Sequence, residues 1–275
     1  MMLATLVFST LAAGVLAPAV VRRGLAHTLA LLPAGLFVAF LSWWPDVTGG
    51  QVVLQQLAWW LHSEDQRTSA SLDQLAAQTE QVLGGPVDLL INNAGVGLGG
   101  KFDELSLDDW QWCMHVNLWG VIHGCHYFVP KFKQQGFGAI INVASAAGYT
   151  AAPEMTAYNV TKSSVLALSE TLASELHAYN IAVNVLCPTL VPTNIMKNGR
   201  LPSRYSGLAD KLLMNHAFTT SDAVVKKTLN RLDAGKLYTI PQPDAKLFWW
   251  MKRASPSLYV KLLGLGYPLF NQITK

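Results

Sequence analysis

Residues 86–95 read Pro-Val-Asp-Leu-Leu-Ile-Asn-Asn-Ala-Gly, an apolar run that ends in small and amide-bearing residues. A short apolar run bounded by glycine and asparagine predicts a buried strand over residues 86–91. Residues 71–83 precede it, with apolar side chains at helical spacing, a serine at the start and Gly84-Gly85 at the end. These signals predict an amphipathic helix that leads into the strand.

The same alternation continues downstream. Strands of about five residues alternate with helices of more than ten residues, which is typical of parallel β-α-β units. The pattern therefore predicts an α/β fold. The expected elements are a helix over 107–135, a strand over 139–144, a helix over about 157–179, and strands over 182–186 and 236–240.

Three polar residues that follow the apolar run 139–144 have a spacing that predicts a common site. Tyr158 and Lys162 stand four residues apart, so a helix projects both from one face. Ser145, at the carboxyl end of the predicted strand, could reach both. An ammonium beside a phenol lowers the phenol pKa toward working pH, so the three residues predict a proton-transfer site.

The order of these motifs resembles the short-chain dehydrogenase/reductase family over about residues 70–245. The resemblance implies a Rossmann-like, doubly wound parallel sheet, whose strand order reverses beside the Asn92 strand and whose ligand binds over the carboxyl ends. It is carried by Asn92-Asn93-Ala94-Gly95, Asn117 in His-Val-Asn-Leu-Trp-Gly, Ser145, Tyr158-x-x-x-Lys162, Pro188 and Thr193.

The resemblance implies four catalytic residues. Tyr158 would be the general acid in reduction and the base in oxidation. Lys162 would hold the ribose hydroxyls of the cofactor and lower the tyrosine pKa. Ser145 would donate a hydrogen bond to the substrate oxygen, and the Asn117 amide would anchor a water that links the lysine to solvent.

The resemblance also implies that NAD or NADP is the cofactor. Its expected contacts, besides Tyr158 and Lys162, are Asn92, Ala94, Gly95, Pro188 and Thr193. Thr189 stands where the family usually has glycine, so the resemblance does not determine the conformation of the local turn. Residues 198–215 are expected to form the loop over the substrate.

One family motif is missing. No Thr-Gly-x-x-x-Gly-x-Gly turn, which would hold the cofactor pyrophosphate, occurs in the chain. Val47-Thr48-Gly49-Gly50 comes nearest, and it is either a truncated phosphate loop or, as the chain beyond it favours, a polar turn before an amphipathic helix. We therefore expect the N-terminal half of the sheet to be incomplete or replaced by apolar helices.

The first third of the chain is strongly apolar. Residues 2–21 carry no charge and are long enough for a transmembrane helix, with a buried core helix and a cleaved secretory signal as alternatives. Arg22 and Arg23 should face the cytoplasm. With residues 29–44 lying at the interface, the catalytic region would also be cytoplasmic. Residues 1–61 faintly resemble a membrane subunit of cation/proton antiporters.

The C-terminal tail mixes aromatic and basic residues over 247–253, and residues 259–270 continue it. This pattern favours an interfacial membrane helix, while a dimer contact or a lid over an apolar substrate are alternatives. The predicted organisation is an apolar membrane-associated segment over 1–61, a catalytic region over 62–245 and an amphipathic tail over 246–275.

Composition narrows the classes of function. Charged residues make up 13% of the chain and hydrophobic residues 51%, which favours membrane association or a partner such as a second copy. The net charge of +3 and the lack of a long basic run argue against nucleic-acid binding. Three cysteines without Cys-x-x-Cys spacing predict buried thiols, and neither they nor the histidines predict a metal site.

Two hypotheses of function follow. In the first, the protein is a membrane-associated oxidoreductase that interconverts a small apolar alcohol and a carbonyl compound. In the second, it is a catalytically inactive relative that acts as a membrane-bound interaction module. The catalytic residues favour the first hypothesis, and the missing phosphate loop favours the second.

Overall fold

A parallel sheet forms the centre of the molecule. The computed structural model describes residues 52–55, 85–191, 195, 199–205 and 219–273. Five strands lie side by side in chain order, and every neighbouring pair is parallel. They are β1 (Val52–Gln55), β2 (Leu89–Asn92), β3 (Gly138–Val143), β4 (Ile181–Leu186) and β5 (Tyr238–Thr239).

Helices connect these strands as the alternation predicts. The longer ones are α1 (Leu107–Met114), which continues through a π-helical segment (His115–Trp119) into α2 (Gly120–Gln135), then α3 (Ala147–Thr150), α4 (Thr156–Glu175), α5 (Ser221–Asp233), α6 (Pro243–Ala254) and α7 (Pro256–Ile273). Short 3-10 turns cover Phe102–Glu104, His177–Tyr179 and Ser203–Tyr205.

The predicted α/β fold is confirmed, and β2, β3, β4 and α4 lie within a few residues of their predicted bounds. The prediction of an amphipathic helix after Gly50 is wrong for residues 52–55, which form a strand. Val52 and Val53 suit this position because β-branched side chains favour strands, and the segment pairs with the buried strand β2.

Several sequence predictions lie outside the described residues. These are the helix over 71–83, the boundary at residue 61 and most of the apolar first third with its antiporter resemblance. The predicted reversal of the strand order also lies outside them, since the described strands follow chain order. Within the part of the chain that the structure describes, no helix is long and apolar enough to cross a membrane. The transmembrane helix predicted over residues 2–21 falls outside that part.

The core is apolar and continuous between the sheet and its helices. Leu90, Ile140 and Val185 are fully buried in the three central strands, and Phe132 and Val165 pack on them from α2 and α4. The prediction of buried thiols is confirmed, since all three cysteines are free and buried.

Polar side chains join neighbouring strands inside this core. The Asn92 amide on β2 donates to Asn142 Oδ1 on β3 at 2.8 Å, and the Asn142 amide donates to Ser169 Oγ on α4 at 3.0 Å. On the other side of the sheet, Thr239 Oγ1 donates to Asn184 Oδ1 at 3.0 Å. These side chains are all fully or nearly fully buried.

The C-terminal helices dock through aromatic residues. The Tyr149 hydroxyl on α3 donates to the Ala245 carbonyl at 3.0 Å, and its ring meets Trp249 edge-on with centroids 4.9 Å apart. Tyr238 on β5 contacts the same indole at 4.9 Å. Residues 243–254 therefore complete the core beside α3 and β5.

Candidate active site

The predicted catalytic residues meet at one edge of the sheet. Ser145 lies two residues beyond β3, and Pro188 lies two residues beyond β4. Tyr158 and Lys162 occupy the first two turns of α4, which packs on both strands. Because carboxyl ends of parallel strands share an edge, the fold brings these residues into one place.

Lys162 is held at the end of β3. Its Nζ donates a hydrogen bond to the Val143 carbonyl at 2.9 Å, and the atom lies 5.7 Å from the centroid of the Tyr158 ring. Both side chains are buried. The spacing of four residues on α4 thus places an ammonium beside a phenol, as predicted.

Ser145 joins the ends of two strands. Its Oγ donates to the Pro188 carbonyl at 3.3 Å and accepts from the Ala147 amide at 3.2 Å. The Ala146 amide donates to the same Pro188 carbonyl at 2.8 Å. The Ser145 hydroxyl also acts to lower the pKa of Tyr158, so the two side chains predicted to contact the substrate oxygen lie near each other.

Burial controls protonation at this site. It raises the pKa of Tyr158 to about 12, although the Ser145 hydrogen bond acts in the opposite direction. Burial likewise lowers the pKa of Lys162 to about 8. The predicted shift of the Tyr158 pKa toward working pH is not seen, because burial is the largest influence on this phenol and raises its pKa.

Asn117 acts on the backbone of the loop after β2. It lies in the π-helical segment, where its Oδ1 accepts from the Val96 amide at 2.8 Å and its Nδ2 donates to the Val96 carbonyl at 3.0 Å. Nδ2 also lies 3.3 Å from Thr161 Oγ1. Both polar atoms of this amide thus bind protein groups, and its anchoring of a water stays a prediction.

The segment Asn92 to Gly95 divides into two parts. Asn92 is buried and its amide binds Asn142, while its Oδ1 has no partner among the described residues. Ala94 and Gly95 are partly exposed. A Cβ atom added at Gly95 would lie 3.5 Å from Lys162 Nζ and 3.4 Å from Asn117 Oδ1, so the Gly95 backbone faces the Lys162 side chain.

Gln242 holds the loop after β4, a role that sequence reasoning missed. Its buried side chain accepts from the Thr189 amide at 3.1 Å and donates to the Leu190 carbonyl at 3.2 Å. This pair of bonds fixes the turn at Thr189, the position that departs from the family pattern. Thr193 and most of the predicted substrate loop lie outside the described residues.

Glu154 is the second residue that sequence reasoning missed. It lies two residues before α4 with a φ of 60°, and its carboxylate accepts from Tyr205, from Arg204 Nη2 at 2.9 Å and from the Tyr267 hydroxyl at 2.7 Å. Burial acts to raise its pKa, but these three donors hold the pKa below its usual value. No sequence pattern signals contacts between residues so far apart in the chain.

Burial of Lys162 leads to a testable prediction about how the unfolding free energy depends on pH. The folded-state pKa of this lysine, about 8, lies below the ordinary value of 10.5, so between these pH values the unfolded chain binds more protons. Below pH 8 the buried charged lysine therefore lowers the unfolding free energy by its full amount. This destabilisation disappears as the pH rises toward 10.5. We expect Lys162→Met to raise the unfolding free energy at pH 7 by about 1–3 kcal/mol. Loss of the hydrogen bond to the Val143 carbonyl reduces this gain.

Chemical denaturation at pH 7 and pH 10 measures this effect. The gain from Lys162→Met should shrink at the higher pH, whereas Lys226→Met, which changes an exposed lysine of α5, should show no such dependence. A gain equal at both pH values would contradict a depressed lysine pKa.

Comparison with known proteins agrees with this geometry. The sequence profile described as short chain dehydrogenase matches residues 47–202. The CLA biosynthesis dehydrogenase/reductase of Lactiplantibacillus plantarum is 35% identical over 199 residues, which cover 66% of this chain and 69% of the relative. The D-beta-hydroxybutyrate dehydrogenase of Rhizobium meliloti (strain 1021) is 31% identical over 156 residues, which cover 56% of this chain and 60% of the relative.

Solved structures match the fold. A short chain dehydrogenase/reductase from Burkholderia phymatum in complex with NAD has a TM-score of 0.66 at 28% identity, and the match covers 82% of this chain and 81% of that one. A gluconate 5-dehydrogenase from Burkholderia cenocepacia J2315 in complex with NADP and tartrate matches with a TM-score of 0.60 at 23% identity, over 78% and 80% of the two chains. The second match shows the fold alone.

The profile match extends over more than half of the chain, and it contains the strand ends and the helix that assemble Ser145, Tyr158 and Lys162. The chain therefore belongs to the short-chain dehydrogenase family.

Proposed function

We propose that this protein is an NAD- or NADP-dependent oxidoreductase that interconverts an alcohol and a carbonyl compound. One observation carries the proposal: Ser145, Tyr158 and Lys162 come together at the carboxyl ends of β3 and β4, where Lys162 binds the Val143 carbonyl beside the Tyr158 ring and Ser145 binds the Pro188 carbonyl. A carbonyl oxygen beside the two hydroxyl groups would meet both a proton donor and an orienting hydrogen bond.

The residues around Lys162 fit the nicotinamide and ribose end of such a cofactor. Among the described residues, the ammonium has one hydrogen-bond acceptor, the Val143 carbonyl, so further N–H groups are available for ribose hydroxyls. Gly95 leaves open space beside it that a side chain would fill. The related structures named above bind NAD and NADP, and both cofactors present this same end.

The protein residues would then move and position a proton. A bound nicotinamide cofactor would supply or accept the hydride. The Tyr158 phenol, with its pKa raised to about 12, stays protonated at neutral pH and can donate to a substrate oxygen that gains negative charge. In oxidation the same oxygen would accept the proton. Ser145 would fix the substrate oxygen in place.

An apolar substrate is the finer part of the proposal. Charged residues make up only 13% of the chain. Leu98 and Leu201 contribute apolar side chains where the segment after β2 meets residues 199–205: Leu98 is paired with Arg200, and a Cβ atom at Gly99 would lie 2.8 Å from Leu201 Cδ2. Leu98 is buried and Leu201 is partly exposed, so Leu201 is the side chain here that supports an apolar substrate.

Isothermal titration calorimetry of the full chain in detergent with NADH and NADPH tests the proposal. We expect saturable binding of one of the two cofactors, and weaker binding by Lys162→Met. Lys226→Met provides the matched control, because it removes an exposed lysine of α5. No binding at millimolar cofactor would overturn the proposal in favour of the second hypothesis, an inactive relative that acts as a membrane-bound interaction module.

A further inference from the structure

The C-terminal helices carry an apolar surface that no described residue covers. Nine of the fourteen exposed large hydrophobic residues of the described chain lie on α6 and α7. On α7 the spacing of four, three and four residues places four leucines on one helix face. We call the following residues the outer stripe: Leu247, Trp250 and Met251 on α6, and Leu258, Leu262, Leu265 and Leu269 on α7.

The opposite face of the two helices attaches them to the protein. On α7, Tyr259 is buried and the Tyr267 hydroxyl donates to Glu154 at 2.7 Å. On α6, Trp249 packs against Tyr149 of α3 and Tyr238 of β5. The helices are thus docked through one side, which leaves the outer stripe facing away from the core.

Charge identifies the kind of surface that this stripe fits. Residues 245–275 contain no acidic side chain, whereas five basic residues occur there, namely Lys246, Lys252, Arg253, Lys261 and Lys275. On α6, Lys246 and Arg253 lie along one edge of the outer stripe by helical position, and Lys261 does so on α7. An apolar stripe with basic flanks suits an anionic lipid surface, where lysine and arginine stems reach the headgroups.

We propose that the outer stripe of α6 and α7 binds a membrane surface that contains anionic lipid. The helices would lie in the plane of the interface, which agrees with the lack of a spanning helix among the described residues. A two-fold contact with a second copy is disfavoured, because it would bring two sets of five basic residues together with no acidic residue of the tail to neutralise them.

This docking would leave α7 between the membrane and the loop that leads into α4. The Tyr267 to Glu154 hydrogen bond joins α7 to the loop that leads into α4, and Tyr158 follows Glu154 by four residues.

Site-directed spin labelling of the full chain tests the proposal without any activity measurement. A nitroxide is attached to Leu265→Cys on the outer stripe and, as the matched control, to Val260→Cys, which is also exposed but lies off the outer stripe of α7; the native side chains are 70% and 57% exposed. The three native thiols are buried, which directs labelling to the introduced cysteine. Collision with oxygen and with a polar nickel complex then reports depth in vesicles of phosphatidylcholine with or without phosphatidylglycerol.

We expect the label at residue 265 to gain oxygen contact and lose nickel contact when phosphatidylglycerol vesicles are added, while the label at residue 260 changes much less. Equal water exposure at both positions would overturn the proposal, and so would burial of residue 265 without vesicles together with a doubled mass in sedimentation, which would indicate a second copy. Because each label reports its own helix face, membrane binding by residues 2–21 alone would leave position 265 in water.

A second pair of variants measures affinity. Leu265→Asp should weaken binding to phosphatidylglycerol vesicles by on the order of tenfold or more, because it replaces an inserted leucine with a charge of the same sign as the lipid. Val260→Asp should have a clearly smaller effect. Equal effects of the two variants would contradict a binding face centred on the outer stripe.

Discussion

Replacing Tyr158 by phenylalanine is expected to lower turnover by about 10²–10⁴-fold, since that is the usual contribution of a positioned proton donor. The ring would remain packed, because Tyr158 is buried and only its oxygen is removed. The unfolding free energy should consequently change little. Initial rates with a ketone or alcohol substrate, compared with chemical denaturation of the same preparation, measure both quantities.

A second tyrosine serves as the control for this experiment. Tyr179 lies in the 3-10 turn after α4 and is exposed, so Tyr179→Phe should retain full activity. If Tyr158→Phe kept the activity of the unchanged protein while Tyr179→Phe behaved as expected, the proposed proton donor would be wrong. Binding of NADH or NADPH by Tyr158→Phe separates a loss of catalysis from a loss of the cofactor site.

The Asn117→Ala variant is expected to lose about 2–5 kcal/mol of unfolding free energy, because it leaves the buried amide and carbonyl groups of Val96 without their partners. Asn117 is fully buried, so water cannot readily replace the lost amide. The loop that carries Gly95 would loosen, and cofactor binding should weaken together with stability.

Denaturation curves of Asn117→Ala and Asn230→Ala provide the test. Asn230 is an exposed residue of α5, and its change to alanine should alter stability by only a few tenths of a kcal/mol, since alanine has the higher helix propensity. An Asn117→Ala protein as stable as the control would show that the Val96 contacts contribute nothing. Full stability with lost turnover would instead assign Asn117 a direct catalytic role.

The sequence predicted the central strands and α4 because their signals are local. An apolar run ended by small or polar residues defines β2, and a four-residue spacing places Tyr158 and Lys162 on one face of α4. The meeting of Ser145 with that face also followed from the sequence, since β3 and α4 are consecutive elements.

Other features depend on contacts that no local pattern encodes. The sequence of Val52–Gln55 predicts the start of an amphipathic helix, but the segment forms a strand that pairs with β2. Glu154 and Gln242 owe their roles to partners about fifty or more residues away. The raised pKa of Tyr158 was missed because helical spacing shows which groups are near each other, whereas the extent of burial comes from the complete fold.

The buried asparagines have a consequence for how the chain finds its strand alignment. β2, β3 and β4 are nearly continuous apolar runs, and such strands carry little information about which residues should lie opposite one another. Asn92 and Asn142 are direct partners in the sheet. A shift of one residue would separate them and leave buried amides unbonded, at about 1–3 kcal/mol each. The polar pair thus selects one alignment among many that apolar packing alone would accept.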